Sequence, residues 1–103
     1  MSQFIRAIAL NQFPTGQKKL IRHQGKEYAL FHVGGALYAV NNACPHSTGP
    51  LVEGRVAGTI VTCPWHGAQF DLSSGECCSG PATKDVATYP VHLKDGTIFI
   101  EIP

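Results

Sequence analysis

Two short segments restrict this chain more than anything else in it: Cys44-Pro45-His46 and Cys63-Pro64-Trp65-His66. Each offers one thiolate and one imidazole, so two loops must face each other before the four groups can serve one centre. A single zinc ion is usually held by cysteines grouped in one pair and histidines in another, as C-x2-4-C and H-x3-5-H. Here the order is C-x-H, sixteen residues, then C-x-x-H. Two irons bridged by sulfide suit one sulfur and one nitrogen from each loop. A structural zinc site is the weaker alternative, because its ligand types fit and its ordering does not. A Cys63–His66 nucleophile would lack a third, orienting group.

The composition narrows the rest. A chain of 103 residues is expected to form one domain, 1–103, burying about two thirds of its extended surface around one core. A second catalytic domain does not fit in that length. Eight Lys and Arg against seven Asp and Glu give a formal charge of +1, and without a basic run the balance argues against nucleic acid as a partner. No apolar run approaches the ~20 residues of a membrane span. The opening Met1-Ser2-Gln3-Phe4-Ile5-Arg6 has no secretory pattern, and the expectation is a soluble, cytoplasmic monomer. In a reducing compartment the four cysteines should stay out of disulfides. Cys77 and Cys78, adjacent in a predicted strand, should point to opposite faces, one inward and one outward.

Eleven glycines and seven prolines among short apolar stretches predict an all-β chain, with no helical period. Strands are predicted over 4–10, 18–23, 26–33 and 36–40, with Gln24-Gly25 as a two-residue hairpin turn. The β-branched stretch 59–62 should lead directly into Cys63. Strands over 69–71 and 76–78 should flank a tight turn at 72–75. A closing hairpin is predicted from 86–93 and 97–102 around Asp95-Gly96. His23, His32 and His92 have no metal-ligand spacing and are expected on solvent-facing or edge positions. Lys84, Asp85, Lys94 and Asp95 read as solvated turn charges.

The two Cys/His segments, with Gly67, Phe70 and Asp71 after the second and Ser79-Gly80-Pro81-Ala82 further on, resemble Rieske-type [2Fe-2S] proteins. The resemblance implies a [2Fe-2S] cluster with Cys44 and Cys63 on one iron and His46 and His66 on the other. It also implies an antiparallel β-sandwich with an inserted cluster-binding subdomain at about 42–82. Neutral imidazoles leave such a centre less negative than four thiolates would, which raises its potential. Gly49, Gly67 and Gly80 are the candidates for close backbone approach to the cluster, and Pro45 and Pro64 should stiffen the ligand loops.

Respiratory members of the family carry an extra cysteine in each loop, joined as a disulfide; the matching positions here are Gly49 and Trp65. They also carry hydroxyl donors where this chain has Ala68 and Phe70. Losing those donors should lower the potential towards the bottom of the range of about −150 to +300 mV for Rieske centres. By resemblance, the function expected is one-electron transfer from a flavin-dependent NAD(P)H reductase to a terminal oxygenase, with no catalysis by the chain itself. Docking is expected to be transient, at a tip formed by Pro45, His46, Trp65, His66 and Pro81. The alternative is a permanent subunit, such as the small subunit of a nicotinamide-dependent nitrite reductase.

Overall fold

The computed structural model describes residues 3–44, 49–65, 67–79 and 84–103. Its strands, in chain order, are β1 (Gln3–Ala9), β2 (Lys18–His23), β3 (Lys26–Val33), β4 (Ala36–Asn41), β5 (Arg55–Ala57) and β6 (Ile60–Thr62). They continue with β7 (Gln69–Asp71), β8 (Cys77–Ser79), β9 (Thr88–Tyr89), β10 (Val91–Lys94) and β11 (Thr97–Ile102). Short 3-10 turns at Leu10–Gln12 and Leu51–Glu53 are the helical elements among the described residues. The strands form three antiparallel sheets, ordered β1-β11-β10, β2-β3-β4-β9 and β5-β6-β7-β8.

The hairpins follow from turn chemistry. Gln24 and Gly25 have φ of 50° and 80°, and Asp95 and Gly96 have 50° and 76°. Two consecutive left-handed residues make a type I′ turn, whose twist matches that of the strands it joins. Each turn sets a register, pairing His23 with Lys26 and Lys94 with Thr97.

The middle sheet is covered on both faces. In β3, Tyr28 and Leu30 join Ile5, Ile98 and Ile100 in a core against the terminal sheet. Ala29 and Phe31 point the other way, into a second core with Val61, Phe70, Cys44 and Cys63. Successive strand residues face opposite sides, so this unbroken apolar run of buried residues serves two cores at once. The outcome is three layers, with the cysteines between the second and the third.

One predicted strand needs correction, and one strand was not foreseen. Residues 86–93 do not form one strand: β9 pairs with β4, through Ala39–Tyr89 and Val40–Thr88, whereas β10 pairs with β11. Pro90 separates them, because it has no N–H for a ladder and a fixed φ. Its carbonyl still accepts from Glu101 N at 2.9 Å, so the chain passes between sheets there. β5 was not expected: of its three residues, Arg55-Val56-Ala57, only Val56 is a β-branched residue. Its turn, Gly58-Thr59, has a positive φ only at Gly58, 60°, the pattern of a type II′ hairpin.

Cys77 is half-buried against the second core, and Cys78 is exposed, as the alternation required. His32 departs from its expected solvent-facing place. It is half-buried, its Nδ1 donates to Phe13 O at 2.7 Å, and its ring stacks on Phe13 with centroids 6.1 Å apart. A carbonyl can only accept, so Nδ1 carries the proton. His92 is partly exposed and pairs with Glu101, Nε2 to Oε1 2.8 Å.

Candidate metal centre

Each cysteine stands at the mouth of its own loop. β4 delivers the chain to Cys44, whose N–H donates to Gly49 O at 3.0 Å. Ala43 and Pro50 form an antiparallel bridge just outside that pair. β6 delivers the chain to Cys63, whose N–H donates to Ala68 O at 2.7 Å, while Gly67 N donates back to Cys63 O at 3.2 Å. Pairing the backbone around each mouth satisfies groups that burial would otherwise strand. Both thiols are buried, at 0% and 2% exposure, share one core, and are not in disulfides.

The two loops touch at Gly49. A Cβ placed there would lie 2.9 Å from Cys63 Sγ and 3.0 Å from Trp65 Cγ, nearer than side-chain atoms pack. Gly49 has no positive φ, so its hydrogen is needed for space rather than for conformation. Gly49 thus lies against the thiol of Cys63 and the ring of Trp65. Gly67 differs: its φ is 77° and nothing lies within 4 Å of its Cβ position, so glycine serves the turn. Trp65 covers Gly49 and is otherwise 57% exposed. Gly49 and Trp65 are therefore packed directly against each other, without a bond.

Ala68 and Phe70 are fully buried beside the second loop and bring no hydroxyl to it. Two buried thiols on facing loops, outside any disulfide and with a glycine keeping the space at Sγ clear, fit the thiolate half of an iron–sulfur cluster. His46 and His66, with Pro45, Gly80 and Pro81, lie outside the described residues. Cys78 is a poor candidate for any thiolate role. Desolvation first, and the charges of Asp71 and Glu76 next, push its thiol above the ordinary range.

Several supporting residues were not singled out from the sequence. Gly54 packs so closely that a Cβ would overlap Thr62 O, and its carbonyl accepts from Lys18 Nζ at 2.7 Å. That bond ties the middle sheet to the segment that leads into β5 and the third sheet. Gly75, with φ 79°, places its Cβ position onto Val86 O and accepts from Val86 N at 2.8 Å. Asn42 closes the neck of the first loop. The signal for all three is weak in sequence, because the groups they meet come from distant segments.

With the fold and the cysteine pair in place, comparison with known proteins gives the class. The model of the Rieske [2Fe-2S] domain matches residues 3–90, and the chain belongs to that family, whose defining group is a two-iron, two-sulfide cluster. Among its relatives, the chain is 33% identical over 100 residues to the ferredoxin component of a naphthalene 1,2-dioxygenase system from Pseudomonas aeruginosa, covering 97% of this chain and 96% of that protein. It is 45% identical over 76 residues to the 3-phenylpropionate/cinnamic acid dioxygenase ferredoxin subunit of Escherichia coli strain K12, covering 73% and 72%. A chain in the complex of reduced oxygenase and oxidized ferredoxin in carbazole 1,9a-dioxygenase superposes with a TM-score of 0.90 at 26% identity, covering 94% of this chain and 91% of that one.

Proposed function

We propose that this protein is a one-electron carrier, the ferredoxin of a multicomponent oxygenase system, taking electrons from a flavin-dependent NAD(P)H reductase and delivering them to a terminal oxygenase. The chain itself catalyses no reaction. The observation that carries the site is the approach of Gly49 to Cys63 Sγ, with Cys44 closing the same loop. In this reading Cys44 and Cys63 hold one iron, and His46 and His66 hold the other. When bound, the cluster supplies a centre that accepts and returns a single electron. Residues 42–82, which include β5 to β8 between β4 and β9, form the cluster-binding part.

The protein's own contributions are to exclude water and to choose the exit. Burial of both thiols beneath Phe70, Leu51 and Val61 keeps solvent from the cysteine side. The exposed indole of Trp65 supports a docking tip that in this reading is made by Pro45, His46, Trp65, His66 and Pro81. Aromatic side chains at such a tip favour contact that forms and breaks easily when the buried area is small. The absence of hydroxyl donors at Ala68 and Phe70 supports a potential near the low end for Rieske centres, since each lost donor leaves added negative charge less stabilised. Four cysteines outside disulfides support a reducing, cytoplasmic location.

The test is iron and acid-labile sulfide analysis of the purified protein, with an EPR spectrum before and after dithionite reduction. The expected result is two irons and two sulfides per chain, as the cluster type requires, with a signal only after reduction. One zinc and no signal would remove the electron-carrier reading. Cys63→Ser should abolish cluster assembly, and a variant with unchanged iron content would take Cys63 out of the ligand set. Reduction of cytochrome c by NADH through a relative's ferredoxin reductase then tests the shuttle. A protein that copurifies permanently with a larger enzyme would favour the subunit alternative.

A further inference from the structure

Just outside the first cysteine loop, the chain closes on itself in successive rungs: Cys44 N to Gly49 O, the Ala43–Pro50 bridge, and Leu51 N to Asn42 O at 2.8 Å. The last rung belongs to Asn42, which is 3% exposed and is the buried polar side chain among the described residues. Every polar atom of this residue is in use. Its N–H donates to Glu27 O at 3.1 Å. Its Oδ1 accepts from Val52 N at 2.9 Å, and its Nδ2 donates to Glu27 Oε1 at 3.2 Å. The orientation of the amide is dictated by those partners, since only its oxygen can accept an N–H and only its NH2 can donate to a carboxylate.

Glu27 is itself held. Arg22 Nε donates to its other oxygen, Oε2, at 3.0 Å, and the carboxyl lies below its ordinary range because of that bond first and the Asn42 bond second. Arg22 and Glu27 are paired across β2 and β3. An arginine, a carboxylate and an amide therefore form a chain from the middle sheet to the backbone of Leu51 and Val52.

We propose that Asn42 is a positioning residue for the metal centre, clamping the neck of the first cysteine loop to β3 through Glu27, and so fixing the place at which Cys44 is presented. This rests on the reading of Cys44 as a ligand. A simple core polar residue would need only to be satisfied. Asn42 joins two segments that have no other side-chain tie in the described hydrogen bonds between them, and it does so two residues from the thiol. Among the twenty side chains, asparagine combines an acceptor for Val52 with a donor for Glu27 at this length. Aspartate would keep the first and set two carboxylates against each other.

The experiment exploits that polarity. Amide hydrogen exchange is followed at Leu51, Val52, Ile98 and Ile100 in the holoprotein of wild type, Asn42→Asp, Glu27→Ala and the exchanged pair Asn42→Asp/Glu27→Gln, alongside the half-life of the visible cluster absorbance. Asn42→Asp should speed exchange at Leu51 and Val52 by about tenfold, as loss of one buried hydrogen bond implies, and shorten the half-life of the cluster. The exchanged pair should recover most of both, because the amide introduced on β3 can donate to the carboxylate introduced at the neck. Should Asn42→Asp fail to fold, Glu27→Ala alone should still speed exchange at those two amides, with Ile98 and Ile100 unchanged. Equal acceleration at all four amides, or no recovery in the exchanged pair, would overturn the proposal. Iron and sulfide content of the wild type separately decides the cluster reading, so the two failures are distinguishable.

Discussion

The terminal sheet and the sheet beside the cysteines are held by different kinds of contact. In the terminal sheet, β11 alternates half-buried and buried residues along its whole length, and Ile98, Ile100 and Ile102 pack side chain to side chain against Ile5 and Leu30. In the other, each strand has three residues, and the closest packing is made by backbone at Gly54 and Gly75, with Gly49 at the loop contact. Side-chain packing responds in proportion to what is removed, since a smaller residue leaves a cavity of a given size. Backbone packing tolerates no addition, because a methyl group has nowhere to go and the atom it meets cannot swing aside.

Four predictions would break or sharpen that contrast. Ile98→Ala, at a fully buried position, should cost about 4 kcal/mol in denaturant unfolding, and the folded fraction should keep the spectrum of the cluster. A changed spectrum would mean that the terminal sheet governs the site directly. Gly75→Ala should cost about 3 kcal/mol, from a left-handed φ together with overlap on the Val86 carbonyl. Its control is Gly96→Ala, with φ 76° and open space around the Cβ position, which should cost only about 1 kcal/mol. Equal losses at the two glycines would show that conformation, and not backbone contact, sets the cost.

Gly49→Ala should destabilise the fold by about 2 kcal/mol and lower iron per chain by more than half when protein is reconstituted at limiting iron, measured by metal analysis. Full iron with normal stability would make the Gly49–Cys63 approach irrelevant to assembly.

The smallest effect concerns the turn after β7. Asp71 Oδ1 accepts from Ser73 Oγ at 2.6 Å and from Ser73 N at 2.9 Å, and these bonds, side chain first, hold its carboxyl below the ordinary range. A depressed folded-state value stabilises the protein above the unfolded value of about 3.9 and loses that contribution as pH falls through the folded one. Below pH 4, exchange of the Gly75 amide should rise before that of Ile100, and Ser73→Ala should diminish the difference. Simultaneous rises would show that the turn does not open by itself.

Much of this was readable from the chain. The long strands announced themselves as short apolar stretches set between glycine and proline turns, and Gln24-Gly25 and Asp95-Gly96 set two registers through turn chemistry alone. The paired Cys/His segments named the kind of centre before any fold was known. Where reading failed, the cause was contact between remote segments. The division of 86–93 at Pro90 depends on β4 and β11 both being available as partners, and β5 exists only as a partner for β6. Gly54 looks like any loop glycine until the carbonyl of Thr62 is seen above it. Asn42 was visible only as the start of the expected cluster-binding stretch, because its role is defined by Glu27 on one side and Val52 on the other. His32 was misread because nothing in its neighbourhood in sequence announces the carbonyl of Phe13.

The meeting of Gly49 with Trp65 has a consequence for the working life of the protein. A sulfur–sulfur clasp at those positions would be a second reducible group beside the first. A joint made from an indole face and a missing methyl group has no redox chemistry. A gain or loss of one electron at the centre therefore has no bond to break at this fastening.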